Sequence, residues 1–200
     1  MRKAYLAILG LGSLLLSLNT YAAEPDSALA IFAGGCFWCT EADFDKLPGV
    51  LETTSGYIGG SIENPTYEEV SSGRSGHVEA VQVRYDPQQI SYAKLLEAFW
   101  PTIDPVNGNG QFCDTGPQYR SEIFYLDAEQ QRLAEASKAA LMASGRLAQP
   151  IATQIVAATT FYPAEDYHQN YHIKNPLRYS YYRHGCGRDQ RLQQLWGTTK

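Results

Sequence analysis

"ALAIFAGGCFWCTEADF", residues 28–44, changes character halfway along. Its first part is a short apolar run closed by Gly34-Gly35, the pattern of a buried strand that runs into a turn. From Cys36 the residues take on helical character, which lasts until Pro48-Gly49, a helix stop. A strand that passes through two glycines into a helix places Cys36 at the helix start. Unpaired N–H groups and the positive end of the helix dipole favour a thiolate there. Such placement can lower a cysteine pKa from about 8.5 to between about 3.5 and 7.5. A buried, inert thiol is the commoner fate of a cysteine. The glycines before Cys36 favour a nucleophile instead, because they let a ligand or backbone approach closely.

Cys39 makes a C-x-x-C with Cys36, which is a moderate redox signal on its own. The pair could equally supply two zinc ligands, with Cys113, Cys186, His77, His168 or His172 completing a site. There is no second C-x-x-C and those candidates are scattered, so zinc is the weaker reading. His168 and His172 have metal-like i, i+4 spacing, but without the glutamate of a metalloprotease signature. No bound metal is expected.

Working outward, residues 77–85, "HVEAVQVRY", alternate as a strand and stop at Asp86-Pro87. Glu79 falls on the same face as Val81, Val83 and Tyr85 and should point inward. A carboxyl among apolar side chains resists ionisation and can donate a proton near neutral pH. Solvent or an arginine partner at the strand end is the competing reading. Residues 91–100 predict a helix with Ser91 as N-cap. Residues 101–118 form a long loop rich in Gly, Pro and Asn, a length often tied to function. "YRSEIFYL" and "QIVAAT" read as strands. Between them Asp127-x-x-Gln130 opens a helix as a capping box, and Gly145 closes it. Together these predict an α+β fold, a two-layer α/β sandwich. Tyr57, among glycines, and Tyr119, beside the loop, offer hydroxyl donors for oxygen charge. Fourteen tyrosines make any one of them a weak signal.

Residues 1–23 read as a secretory signal peptide. Arg2 and Lys3 precede an apolar run from Ala4 to Leu18, and Ala22 or Ala23 offers a cleavage site. That run, about 15 residues, is shorter than the roughly 20 that span a bilayer. Residues 24–200 make one domain, expected to be exported, to a bacterial periplasm. Loss of Arg2 and Lys3 moves the formal charge from −5 to about −7. An acidic surface without basic clusters excludes nucleic acid and anionic membrane as expected partners. The even count of four cysteines fits disulfides in such a compartment. A chain this long does not need staples for stability, so redox work is as good a reading as bracing.

"GCFWC", "GYIGG", "GHVEAVQVRYDP", "DTGPQYRS" and "FYPAEDYHQNY", in that order, make the chain similar to the peptide methionine sulfoxide reductase A family over residues 30–196. The resemblance implies a two-layer, ferredoxin-like α/β fold with a mixed sheet and a shallow surface site. It implies reduction of the S epimer of methionine sulfoxide, free or protein-bound. Cys36 would be the nucleophile, Phe37 and Trp38 the wall for the substrate methyl, and Glu79 the proton donor. Tyr57 and Tyr119 would bond the sulfoxide oxygen, with Asp114 ordering the site. The family needs no bound cofactor and is reset by an external thioredoxin-like dithiol. Many members carry glycine at the position of Cys39 and place resolving cysteines in a Gly-rich tail. Cys186, in "HGCGRD", is therefore the expected resolver and Cys39 its rival, while Cys113 is read as a buried spectator, with a relay thiol as the alternative. An exported thiol–disulfide oxidoreductase is the alternative, but it would leave Glu79 and the tyrosines unexplained.

Overall fold

The computed structural model describes residues 27–197, so the expected signal segment lies outside the described residues. The strands are β1 (Ala28–Gly34), β2 (Val50–Ile58), β3 (Val78–Tyr85), β4 (Gly110–Gln111), β5 (Asp114–Thr115), β6 (Ser121–Tyr125), β7 (Gln154–Ala157) and β8 (Tyr162–Pro163). β4 and β5 pair with each other; the others form one six-stranded sheet in the order β7-β6-β1-β3-β2-β8. Every pairing in it is antiparallel except β6 with β7, so the sheet is mixed. The helices are α1 (Phe37–Phe44), α2 (Tyr67–Ser71), α3 (Tyr92–Phe99), α4 (Ala128–Ala143), α5 (Tyr171–Lys174), α6 (Pro176–Gly185) and α7 (Arg188–Trp196). Among the described residues no helix is long and apolar enough to cross a membrane.

Alternation in the central strands divides the core. Phe32 of β1 and Val81, Val83 and Tyr85 of β3 pack with Phe37 and Phe44 of α1, Leu95, Leu96 and Phe99 of α3, and Ala134 of α4. On the opposite face Ile31, Ala33, Val78, Ala80 and Phe124 form a second cluster, flanked by Val156, Ala158 and Phe161. The helix layer thus covers one face and the segment after β7 shields the other. Each fully buried Leu or Phe stabilises the fold by roughly 1.5–3 kcal/mol, and Leu96→Ala would cost about 2–5 kcal/mol through transfer and cavity terms.

The predicted caps hold with one correction. Ser91 Oγ accepts the Lys94 amide at 3.3 Å, and Asp127 Oδ1 accepts the Gln130 amide at 2.8 Å. Gln130 Oε1 accepts from Leu126, one residue before the cap, so the reciprocal half of the box is displaced. Its amide nitrogen is drawn the other way, onto the Leu29 carbonyl of β1.

Two connections set the position of α1. Gly35 has φ +82, and a Cβ there would lie 2.5 Å from Gln111 Cβ. Only glycine allows both that left-handed turn and so close an approach. Gln111 is itself locked, accepting the Asp104 amide at 2.8 Å and donating to the Asp104 carbonyl at 2.9 Å. The loop of residues 101–118 is thereby pressed onto the start of α1. From the other side, buried Arg188 donates to the carbonyls of Gly34 at 2.9 Å and Thr102 at 3.2 Å. Arg191 binds Asp104 at 2.8 Å and the Trp196 indole binds the Ile103 carbonyl at 3.1 Å, so α7 is clamped along this loop.

Candidate active site

Cys36 is the N-cap of α1, with φ −50 and ψ 119, and its carbonyl accepts the amides of Cys39 and Thr40. The amide of Phe37, the first helical residue, donates to Glu79 Oε2 at 2.9 Å. A helix-end donor that would otherwise lack a partner is thus satisfied by a strand carboxyl. Glu79 is 2% exposed. Burial raises its pKa to about 8; the Phe37 amide opposes the rise, and Asp114 and Cys39 add to it. The inward direction expected from alternation is the one observed.

Cys36, Phe37, Trp38, Tyr67, Glu79, Asp114, Tyr119 and Tyr182 surround a small cavity of about 70 Å³. A larger groove of about 660 Å³ lies between α1 and α7 and shares none of these residues. The Trp38 ring is held on three sides. It stacks on Tyr171 at 3.7 Å, meets Tyr182 edge-on, and donates its indole N–H to His168 Nδ1 at 3.0 Å. That bond makes Nδ1 the acceptor and leaves the proton of neutral His168 on Nε2. Burial lowers the His168 pKa, against the pull of Glu165 and Glu68.

Cys36 and Cys39 are both free and buried. Burial pushes the Cys36 thiol up, reinforced by Cys39 and Glu79, while a hydrogen bond from Cys36 brings Cys39 down to about 7. The pair titrates as a unit: the thiolate near neutrality sits on Cys39, held by the proton that Cys36 keeps. Arg188 and Arg183 add positive charge on the Cys39 side.

Two expectations need correction. Tyr57 is fully buried beneath Phe37, and its hydroxyl donates to Glu165 Oε2 at 2.8 Å instead of reaching the cavity. The other Glu165 oxygen accepts the amide of Tyr67 at 2.8 Å. Tyr57 therefore steadies α2, and Tyr67 is the tyrosine that reaches the site, close to the Tyr119 hydroxyl. Burial raises Tyr67 to about 12, so it remains a hydrogen-bond donor. The second correction concerns Cys113, which is no spectator: it forms a disulfide with Cys186. Cys186 is thus partnered away from Cys36. The two histidines of "HQNYH" divide their contacts. His168 serves Trp38, whereas His172 lies 3.9 Å from Glu41 and 3.5 Å from Asp45, so the two face different neighbours. Among the described residues, only Cys113, Asp114 and Cys186 gather at metal-ligand spacing, and their sulfurs are bonded to each other.

Sequence reasoning missed Tyr67 and Tyr182. Thr66 and Glu69 form a full capping box that puts Tyr67 at the first helical position, a signal visible in "PTYEEV". Tyr182, which donates to Asp114 Oδ2, has no comparable marker among its neighbouring tyrosines. Burial, with the Tyr182 hydroxyl and Arg188 pulling the other way, raises the Asp114 carboxyl.

A thiol pair, an acid protonated near neutral pH, hydroxyl donors and an apolar wall define a thiol-dependent reductase acting on a small oxygen-bearing group. Residues 28–200 match the family model described as peptide methionine sulfoxide reductase. The chain is 56% identical over 169 residues to peptide methionine sulfoxide reductase MsrA of Bacillus licheniformis, covering 84% of this chain and 93% of that protein. It is 51% identical over 182 residues to MsrA 2 of Rhizobium meliloti, covering 91% and 89%. Among solved structures, methionine sulfoxide reductase A of Corynebacterium diphtheriae aligns with TM-score 0.69 at 36% identity over 78% of each chain. Reduced Mxr1 from Saccharomyces cerevisiae aligns with TM-score 0.72 at 30% identity, over 78% of this chain and 92% of that one. The chain belongs to the peptide methionine sulfoxide reductase family.

Proposed function

We propose that this chain reduces the S epimer of methionine sulfoxide, free or within oxidised proteins, with Cys36 as nucleophile. The observation that carries this reading is the contact of Glu79 with the Phe37 amide, which sets an acid beside the helix-start thiol in one cavity. Sulfoxide sulfur becomes electrophilic when its oxygen is protonated as the new bond forms. Cys36 passes its proton to the Cys39 thiolate and attacks that sulfur, Glu79 protonates the oxygen, and the Tyr67 and Tyr119 hydroxyls bond to it. Trp38 and Phe37 receive the methyl group, and Asp114 orders the site through Tyr182. Methionine departs and Cys36 is left as sulfenic acid.

Cys39 then attacks the sulfenic sulfur, releasing water and forming a Cys36–Cys39 disulfide. Cys36 sits at the N-cap with non-helical backbone angles, so this bond need not distort the helix interior. Two thiols thus reduce one sulfoxide, and an external thioredoxin-like dithiol restores them. A solved complex of yeast Mxr1 with Trx2 shares this fold. We place the work outside the cytosol, in a bacterial periplasm, on the strength of the signal-like start of the sequence.

The test incubates wild type and Cys36→Ser with dithiothreitol and each sulfoxide epimer separately. Reduction of the S epimer alone by wild type, and none by the variant, is expected. Turnover without epimer preference, or by the variant, would overturn the assignment.

A further inference from the structure

Two arginines act on Cys39, and they are held differently. The charge of Arg183 is taken up by carboxylates: it pairs with Asp43 at 3.1 Å and with Asp189 at 3.0 Å, and it also donates to the Tyr179 hydroxyl. Arg188, the first residue of α7, is 1% exposed. One terminal nitrogen donates to the carbonyls of Gly34 and Thr102, and the guanidinium carbon lies 4.4 Å from the centre of the Phe112 ring. Its Nε has no partner. Among the described residues Arg188 forms no ion pair. Burying a cation without a counter-ion is costly.

The anchor of that cation lies against the turn that carries Cys39. A Cβ at Gly34 would stand 2.7 Å from the hydroxyl of Thr40, the residue after Cys39. Around Cys39, Asp43 and Glu79 oppose a second negative charge, but Asp43 is answered by Arg183 and Glu79 keeps its proton near neutral pH. Burial raises Tyr179, so it stays neutral, and Cys36 holds its own proton toward Cys39. Asp114, which also feels Arg188, turns a carboxylate oxygen to the Tyr182 hydroxyl. The Cys39 thiolate is the anion that the buried guanidinium otherwise lacks.

Resting on the reductase reading above, we infer that Arg188 is a positioning residue of the reaction, its uncompensated charge holding Cys39 as the base that takes the Cys36 proton. The proton passes from Cys36 Sγ to Cys39 Sγ, and Cys36 attacks the sulfoxide sulfur. Once Cys36 is a sulfenic acid, the same charge favours renewed loss of the Cys39 proton. That thiolate attacks Cys36 Sγ and the S–O bond breaks. The proton leaves with the oxygen as water, and both sulfurs end in the disulfide. Arg188 gives up no proton and touches no substrate; it acts through Cys39 both times.

Titration of the thiols tests this without substrate. With Cys113 and Cys186 left bonded, ultraviolet thiolate absorbance of the full chain follows Cys36 and Cys39, against Cys36→Ser/Cys39→Ser as blank. Wild type should ionise with a midpoint near 7. Arg188→Gln, which keeps N–H donors for the carbonyls, should hold about fivefold less thiolate at that pH, the loss of one favourable neighbouring charge. The acid limb of its kcat/KM profile should move up with the thiol. Phe112→Glu sets a carboxylate against the guanidinium and should displace the midpoint in the same direction, whereas Phe112→Leu should not. An unmoved midpoint in folded Arg188→Gln or in Phe112→Glu would overturn the inference, as would an equal displacement in Phe112→Leu. The expected titration in a wild type that reduces no S epimer would overturn the reductase reading alone and leave the held thiolate standing.

Discussion

The Phe37 amide and the Glu79 carboxyl lie 2.9 Å apart across 42 residues of sequence, joining the first turn of α1 to β3. This bond does two things. It occupies a helix-end donor, and it fixes a proton-bearing group beside the N-cap thiol. With Glu79 raised to about 8 and Cys39 lowered to about 7, the acid and a Cys39 thiolate able to take the Cys36 proton coexist in a narrow window.

That window is measurable. kcat/KM should rise as the pH passes about 7 and fall above about 8, as the Cys39 thiolate that draws the Cys36 proton forms and Glu79 then ionises. Glu79→Gln should lose about 10²–10⁴ in kcat with little change in KM, and its residual rate should lack the alkaline fall. A wild-type rate flat above that pH, or an undiminished kcat in the variant, would remove Glu79 as the donor.

The tyrosines should separate cleanly. Tyr67→Phe should lower kcat by about tenfold or more, as removal of one donor to a developing oxygen charge does. Tyr57→Phe should leave kcat near wild type and lower stability by about 1–2 kcal/mol, because half-buried Glu165 loses the hydrogen bond from the buried Tyr57 hydroxyl. Kinetics paired with urea unfolding of both variants decides the matter; the reverse pattern would restore Tyr57 to the site.

Glu41 offers a test of stability against pH. It is fully buried, and among the described residues neither carboxyl oxygen has a partner at good hydrogen-bond geometry, the Asn170 and Tyr171 backbone and the Ser55 hydroxyl giving only partial compensation. Burial raises its pKa from the usual 4.5 to about 7. The folded state therefore binds more protons than the unfolded one between those values, and stability falls as pH rises through the interval. Glu41→Gln escapes this loss. Its stability relative to wild type should be up to about 3 kcal/mol more favourable at pH 8 than at pH 5. Denaturant unfolding at both pH values that shows the same difference would contradict it.

Trp38→Ala should reduce kcat/KM by about 10-fold to 100-fold, the range of one apolar contact's worth of recognition. It should also release Tyr171, its stacking partner at 3.7 Å. Tryptophan fluorescence quenching by the sulfoxide should vanish with the substitution. Full retention of kcat/KM would exclude Trp38 from the substrate wall.

Much of this architecture is written locally. The apolar run into Gly34-Gly35, the alternation around Glu79, and the caps at Ser91 and Asp127 are patterns of a few residues, and each appears where the sequence places it. β2 was not legible, because Thr53, Thr54 and Ser55 hide a strand whose burial comes from its neighbours. The helices after residue 170 bury little of their own surface and carry no clear apolar stripe. Cysteine pairing is not encoded in spacing: four thiols allow three connectivities, and the fold alone brings Cys113 to Cys186 across 73 residues. Tyr57 drew attention through its glycine neighbours, whereas the Thr66–Glu69 cap that exposes Tyr67 is a quieter signal.

The bond from Trp38 to His168 spans 130 residues, and that from Arg188 to Gly34 spans 154. A ribosome therefore delivers the thiols, the acid and the wall residue long before the groups that hold them in place. Until the last helices arrive, the nascent chain carries reactive sulfur without a cavity to direct it. Catalytic competence becomes a signature of completed synthesis, and a chain cut short before α6, without Tyr182 and Arg188, should be inert as well as shorter.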